Sequence, residues 1–66
     1  MTLADAIRAA VDEPDHSRRK RLVREVADTM RFRLRWNYAQ SAAAVAKVGV
    51  DADRWEELLY EADFED

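Results

Sequence analysis

The residues best placed to do chemistry are a run of four cations, Arg18, Arg19, Lys20 and Arg21. The sequence places them at the start of a predicted helix, where each cation opposes the helix dipole by about 0.3 to 1 kcal/mol. The cluster therefore predicts a nearby anion, and helix amides together with cations are suited to bind phosphate. The full predicted anion or nucleic-acid surface comprises Arg18, Arg19, Lys20, Arg21, Arg24, Arg31 and Arg35.

The acidic end of the chain is an alternative partner for these cations. Residues 18–35 contain eight basic and two acidic residues, whereas residues 49–66 contain eight acidic residues and one basic residue. A contact between the two segments, within one chain or between two copies, would satisfy the cations without phosphate. The sequence pI of about 5.1 lies well below the range typical of nucleic-acid-binding domains, which favours this alternative.

The composition offers little for catalysis or metal binding. The chain has no cysteine, and His16 is its one histidine, so neither a thiolate nucleophile nor an ordinary zinc site can be assembled. A single glycine cannot form a phosphate-cradling loop, and Ser17 and Ser41 have no matching histidine arrangement. We therefore predict that the protein is not an enzyme and carries no cofactor or metal.

The length of the chain predicts one small domain over residues 1–66, with residues 63–66 as a frayed acidic tail. A domain of this size buries only about 60% of its unfolded surface, and self-association is the remaining source of stability. No apolar run approaches the roughly 18 residues of a membrane span, and no secretory leader is apparent. These features predict a cytoplasmic protein with no membrane contact.

The elements that must position the cations begin with a short first helix. Thr2 and Asp5 have the spacing of a capping box, and Pro14 predicts an end near Asp12. The apolar stripe of this helix comprises Leu3, Ala6, Ile7, Ala10 and Val11.

A long second helix is predicted from Ser17 to Val48. Neither proline nor glycine occurs between Pro14 and Gly49, and an alanine-rich run follows residue 38, so nothing marks a break. Gly49 is placed to end this helix, and a third helix is predicted over residues 52–62. The predicted fold class is all-α, with three helices in the order short, long, short.

The predicted long helix has two apolar sides. Its main stripe is expected to pack against the neighbouring helices, but two short neighbours cannot cover a second stripe as well. Paired large aromatic residues with nearby small residues are typical of an interface. The predicted protein interface comprises Phe32, Trp36, Ala39 and Ala43.

Residues 29–37 also alternate with a period of two, which is the pattern of a strand. With this strand, residues 29–62 resemble a ribbon-helix-helix domain, having a strand, a helix, a glycine turn and a helix in that order. The resemblance implies a dimeric ribbon in the DNA major groove, with Arg31, Arg33 and Arg35 facing the bases.

A further segment, Ser41 to Leu59, resembles the helix-turn-helix motif. Gly49, Val50, Trp55 and Leu58 fall where that family places its turn glycine and packing residues. Helix lengths alone also resemble the histone fold. The helix-turn-helix resemblance implies DNA binding, although the predicted recognition helix would present carboxylates to the phosphates.

The composition and patterns together predict a small regulatory or inhibitory protein-protein interaction module. We expect it to associate with a protein partner or with itself, as a dimer formed through the long helix. The alternative is a DNA-binding transcriptional regulator or antitoxin that uses the arginine-rich segment 18–35.

Overall fold

The computed structural model describes residues 1–64 and is helical throughout its regular segments. Within that range there are four helices and no strand. The elements are α1 (Leu3–Asp12), α2 (His16–Asp28), a π-helical turn (Thr29–Arg33) that continues α2, α3 (Tyr38–Lys47) and α4 (Ala52–Phe64). The helical class is therefore confirmed, whereas the short-long-short order of three helices is wrong.

The predicted first helix is confirmed together with its cap. The Thr2 hydroxyl accepts a hydrogen bond from the Asp5 amide at 3.1 Å, and the Asp5 carboxylate accepts one from the Thr2 amide at 3.2 Å. The hydrogen bond from the Thr2 backbone to the carboxylate also lowers the pKa of Asp5. The helix ends at Asp12, and Asp15 then caps α2 by accepting from the Arg18 amide at 2.9 Å.

The predicted long helix over residues 17–48 is broken between residues 34 and 37. The Leu34 amide donates to the Thr29 carbonyl, so the helix widens to a π turn, and Arg35 then adopts a left-handed conformation with φ of 58°. The Trp36 amide donates back to the Met30 carbonyl at 2.8 Å. The chain reverses here without glycine or proline, which is why composition gave no sign of it.

Asn37 starts the next helix as soon as the chain has turned. Its side chain accepts from the Gln40 amide at 2.8 Å, and the Gln40 side chain accepts from the Asn37 amide at 2.9 Å. This capping box satisfies amides that a continuous helix would have bonded internally. The break lets α3 fold back, so that Val45 and Met30 enter the same core instead of lying about four turns apart on one helix.

The turn between α3 and α4 follows the sequence prediction. Gly49 has φ of 86°, and the Val50 amide donates to the Val45 carbonyl at 3.3 Å in a left-handed helix end. Residues 41–59 thus contain two helices joined by a glycine turn. The strand over 29–37, and with it the ribbon-helix-helix fold, is wrong because those residues form the π turn, the reversal and the cap of α3.

The core lies where α1 and α4 both pack against α2. Trp55 and Leu58 of α4 and Ile7 of α1 are almost wholly buried. The fully assembled core comprises Ile7, Ala10, Val23, Val26, Met30, Val45, Trp55, Leu58 and Ala62. Asp63 and Phe64 belong to the last turn of α4, and the rest of the tail predicted to fray, residues 65–66, lies outside the described residues.

Candidate binding surfaces

Arg19 holds the start of α2 against the end of α4. Its guanidinium forms a two-pronged pair with the Glu61 carboxylate, with distances of 2.8 Å from Nε and 3.1 Å from the terminal nitrogen. It also donates to the backbone carbonyls of Glu13 at 3.2 Å and Pro14 at 3.4 Å. Hydrogen bonding to Arg19 lowers the pKa of Glu61, and the same bond raises the pKa of Arg19. Both side chains are less than one-fifth exposed, so this pair belongs to the packing of the fold.

Arg24 is also directed to α4. Its guanidinium donates to the backbone carbonyl of Ala62, in the last turn of that helix, where a cation complements the helix dipole. Arg18 lies nearer to solvent and reaches Glu13 at 3.8 Å. We call the contact of Arg19 and Arg24 with Glu61 and Ala62 the seam.

Lys20 and Arg21 share their surface with carboxylates. They lie beside a shallow depression of about 420 Å³, which Glu25 and Asp28 also line. No ion pair involves Lys20 or Arg21 among residues 1–64. The seven cations predicted to form one anion-binding surface are therefore divided, since Arg19 and Arg24 face α4 and two others face a surface of mixed charge.

The remaining cations gather where α2 ends. Arg31, Arg33 and Arg35 are exposed and alternate with Phe32 and Leu34, which are 66% and 43% exposed. The Arg31 guanidinium carbon lies 5.8 Å from the centre of the Phe32 ring, within cation-π range. None of the three arginines forms an ion pair within the described part of the chain. We call residues 31–35 the arginine corner.

The four residues predicted to form one interface lie in different surroundings. Phe32 projects from the arginine corner, whereas Trp36 is partly buried and packs against the core. Trp36 and Ala43 line a shallow groove of about 290 Å³ between α1 and α3, and Ala39 is exposed on α3. The structure thus brings Trp36 and Ala43 together and separates them from Phe32, because the chain reverses between residues 32 and 36.

A larger apolar groove runs along α1 and α2 and ends at the arginine corner. Its volume is about 590 Å³. The α1 side contributes Leu3, Ala6 and Ala9, and the far end is closed by Arg33 and Leu34. The complete lining comprises Met1, Thr2, Leu3, Ala6, Ala9, Leu22, Glu25, Val26, Thr29, Arg33 and Leu34.

The outer face of α4 has the opposite charge. Asp53, Glu56 and Glu57 are all exposed, and Glu56 accepts a hydrogen bond from the Tyr38 hydroxyl at 2.5 Å. That bond raises the pKa of Tyr38. In the helix-turn-helix arrangement α4 would be the recognition helix, and this carboxylate-rich face would repel phosphates.

The sequence pattern predicted Leu34 in the main buried stripe of the long helix, whereas its side chain is 43% exposed. The same pattern placed Arg33 at a site only in the strand interpretation, and it did not predict the groove. The sequence signal for this surface was the alternation of arginine with apolar residues over 31–35. On a helix, alternate residues point to different sides, so the apolar residues of this segment could not all be buried on one face. The groove depends on the crossing of α1 and α2, which no local pattern specifies.

The described residues contain no group of three or more histidine, aspartate or glutamate side chains arranged to hold a metal ion. None of their helices is both long and apolar enough to cross a membrane. Comparison of the chain with protein-family models, curated protein sequences and solved structures yields no significant match.

Proposed function

We propose that the protein is a small non-enzymatic interaction module with a regulatory or inhibitory role, which binds another protein through the arginine corner and the adjoining groove. The observation that carries this proposal is the exposure of Phe32, which is 66% accessible and directly precedes Arg33 and Leu34, two residues that line a largely apolar groove. Water-exposed apolar surface of this kind is typical of protein-binding sites. Aromatic and arginine side chains are also the types that contribute most to binding at such sites.

The distribution of cations supports a surface reserved for binding. Arg19 and Arg24 are used within the fold, so they cannot be removed without loss of packing. Arg31, Arg33 and Arg35 make no ion pair among residues 1–64, so no ion pair of the described fold uses their charge. An arrangement of unpaired cations around an exposed aromatic ring is therefore better explained by a partner than by stability.

Photo-crosslinking in the cells that make the protein tests this proposal. A photoreactive phenylalanine analogue at position 32 should capture one or a few proteins in discrete adducts, because Phe32 would lie inside the interface. The matched control carries the analogue at position 57, since the Glu57 side chain is 71% exposed on the acidic face of α4. Equal adducts from both positions, or none from position 32, would contradict the proposal. An adduct with the mass of two chains would identify the partner as a second copy.

Nucleic-acid binding is the second candidate, and the helix-turn-helix arrangement of α3 and α4 together with the arginine corner favours it. Each phosphate contact contributes about 0.9 to the slope of log affinity against log salt on duplex DNA. Changing Arg31, Arg33 and Arg35 to glutamine should then flatten that slope by roughly 2 to 3. We expect little binding near physiological salt, because the carboxylates of α4 oppose phosphates. Tight, salt-dependent binding that these changes abolish would favour this candidate over the first.

A further inference from the structure

The groove between α1 and α2 has the form of a helix-binding site. On α1 its lining residues recur every three positions at Leu3, Ala6 and Ala9, and on α2 they recur at Leu22, Val26 and Thr29. Such rows form the two ridges between which the ridge of a third helix packs. The small alanine side chains on α1 leave space above that helix, so the backbone of a third helix can approach it closely.

The length of the groove sets the size of its occupant. The α2 side extends from Leu22 to Arg33, which corresponds to about 16 Å at 1.5 Å per residue, or three helical turns. An amphipathic helix binds such a groove with apolar residues at i, i+3 or i+4, and i+7. No sheet edge exists within residues 1–64, so an extended peptide would find no backbone to pair with there.

The charged side chains that line the groove are unevenly placed along it. Arg33 closes one end, and the rest of the arginine corner continues beyond it. The other charged residue of the lining is Glu25, midway along α2. A second copy docked with its groove parallel to this one would bring two arginine corners close to one another, and like charges at that position disfavour that dimer. A second copy docked antiparallel would place no carboxylate of its own groove beside the corner except Glu25, which lies midway along α2. Charge therefore selects a partner that carries carboxylates where it meets the corner.

We infer that the groove binds a three-turn amphipathic helix of a partner protein, whose apolar stripe lies between α1 and α2 and whose carboxylates face Arg31, Arg33 and Arg35. This inference rests on the proposed function and names the chemistry of the partner. Phe32 packs against the outer side of the bound helix and shields the ion pairs from water, which strengthens them.

Two designed peptides of about 11 residues, which is three helical turns, provide the probe. Both carry the same leucine stripe and are held helical by the same staple on the outer face, but the positions flanking the stripe are glutamate in one and lysine in the other. The amide resonances of the isotope-labelled protein report binding. The glutamate peptide should shift the amides of Leu3, Ala6, Leu22 and Val26 and bind about tenfold more tightly than the lysine peptide, since several rim ion pairs distinguish them.

Two variants of exposed residues make the result specific. Arg33→Glu should reduce the preference for the glutamate peptide or reverse it. Ala9→Gln should weaken both peptides equally, because the longer side chain fills the groove without changing its charge. Circular dichroism verifies that each variant keeps its helices.

Equal affinity of the two peptides, tighter binding of the lysine peptide, absence of binding, or shifts confined to other surfaces would each overturn this inference. A free protein that is already dimeric with its groove covered would do so too, because the occupant would then be a second copy. The proposed function fails separately. If position 32 still captures a protein while neither peptide binds, the protein is still an interaction module, but its partner is not an acidic amphipathic helix.

Discussion

Arginines at the two ends of α2 have opposite roles. At the seam, Arg19 and Arg24 reach across to α4, and Arg19 is held by both oxygens of the Glu61 carboxylate. At the arginine corner, Arg31, Arg33 and Arg35 extend into solvent with no carboxylate partner among residues 1–64. Both groups come from the same basic stretch of sequence, so charge density does not separate structural cations from cations available to bind.

The difference arises from what each end of α2 packs against. The C-terminal end of α4 lies beside α2, where the Glu61 carboxylate accepts from Arg19 and the Ala62 carbonyl accepts from Arg24. The turn after α2 lies against an apolar part of α4, where Met30 and Arg31 line a small pocket with Trp55 and Leu59. Among residues 1–64 its arginines form no ion pair with a carboxylate. A basic run becomes a binding surface only where the fold leaves it without an internal anion.

The largest expected effect comes from Trp36, which anchors the inner side of the arginine corner. Trp36→Ala should lower the free energy of unfolding by about 2 to 3 kcal/mol, because the ring is partly buried against the core and its loss leaves a cavity. Phe32→Ala should change it by less than about 0.5 kcal/mol, since that ring is exposed. Urea denaturation followed by circular dichroism measures both. Equal losses would mean that the two aromatic residues share one environment, as the sequence had suggested.

At the seam, Glu61→Gln should lower the free energy of unfolding by about 1 to 2 kcal/mol, because a hydrogen-bonded charge pair is reduced to one neutral hydrogen bond. Glu57→Gln on the same helix is the matched control, since the pair of Glu57 with Arg54 is exposed and 3.5 Å long and should contribute less than about 0.5 kcal/mol. Thermal melts compare the two variants. If they melt together, Arg19 and Glu61 are a surface pair and the seam does not hold α4.

Acid should also weaken the seam. The pKa of Glu61 is lowered from its ordinary value of 4.5 by its hydrogen bond to Arg19, so the unfolded chain binds the proton more readily than the folded one. The stabilisation is then complete above that ordinary value and is lost as the pH falls below it. Melts between neutral and acid pH should show a steeper decline for the wild type than for Glu61→Gln. Parallel declines would contradict this assignment.

A smaller effect is expected at the break that creates the arginine corner. Asn37→Ala removes the cap of α3 and should lower the free energy of unfolding by about 1 kcal/mol. The direction of the change in stability is informative, because alanine favours the interior of a continuous helix more than asparagine does. A gain in stability and helicity would therefore support the uninterrupted helix over residues 17–48 and contradict the reversal at Arg35.

Local signals in the sequence predicted the parts of the fold that depend on them. The capping box at Thr2, the stop before Pro14 and the glycine after Val48 gave α1, its end and the turn before α4. The break at residues 34–37 was missed because a non-glycine residue, Arg35, takes the left-handed conformation. Asn37 and Gln40 have the spacing of a capping box and were the available sign.

The candidate site was predictable only in part. An unpartnered apolar side at Phe32 followed from the pattern, but Trp36 was placed beside it on a helix that does not exist. The assignment of Arg19 and Arg24 to the seam depends on contacts 38 and 42 residues apart along the chain. Spacing within one segment carries no information about such contacts.

We propose that the arginine corner binds a partner and does not stabilise the fold. The direct test is the yield of protein adducts from position 32, measured with and without the charges of the arginine corner. The variant changes Arg31, Arg33 and Arg35 to glutamine and keeps the photoreactive analogue at position 32. We predict that the adducts are lost while the melting temperature stays within a few degrees of the parent, because these cations serve a partner and not the fold. Undiminished adducts in the variant, or a melting temperature that falls as far as that of Glu61→Gln, would contradict the account.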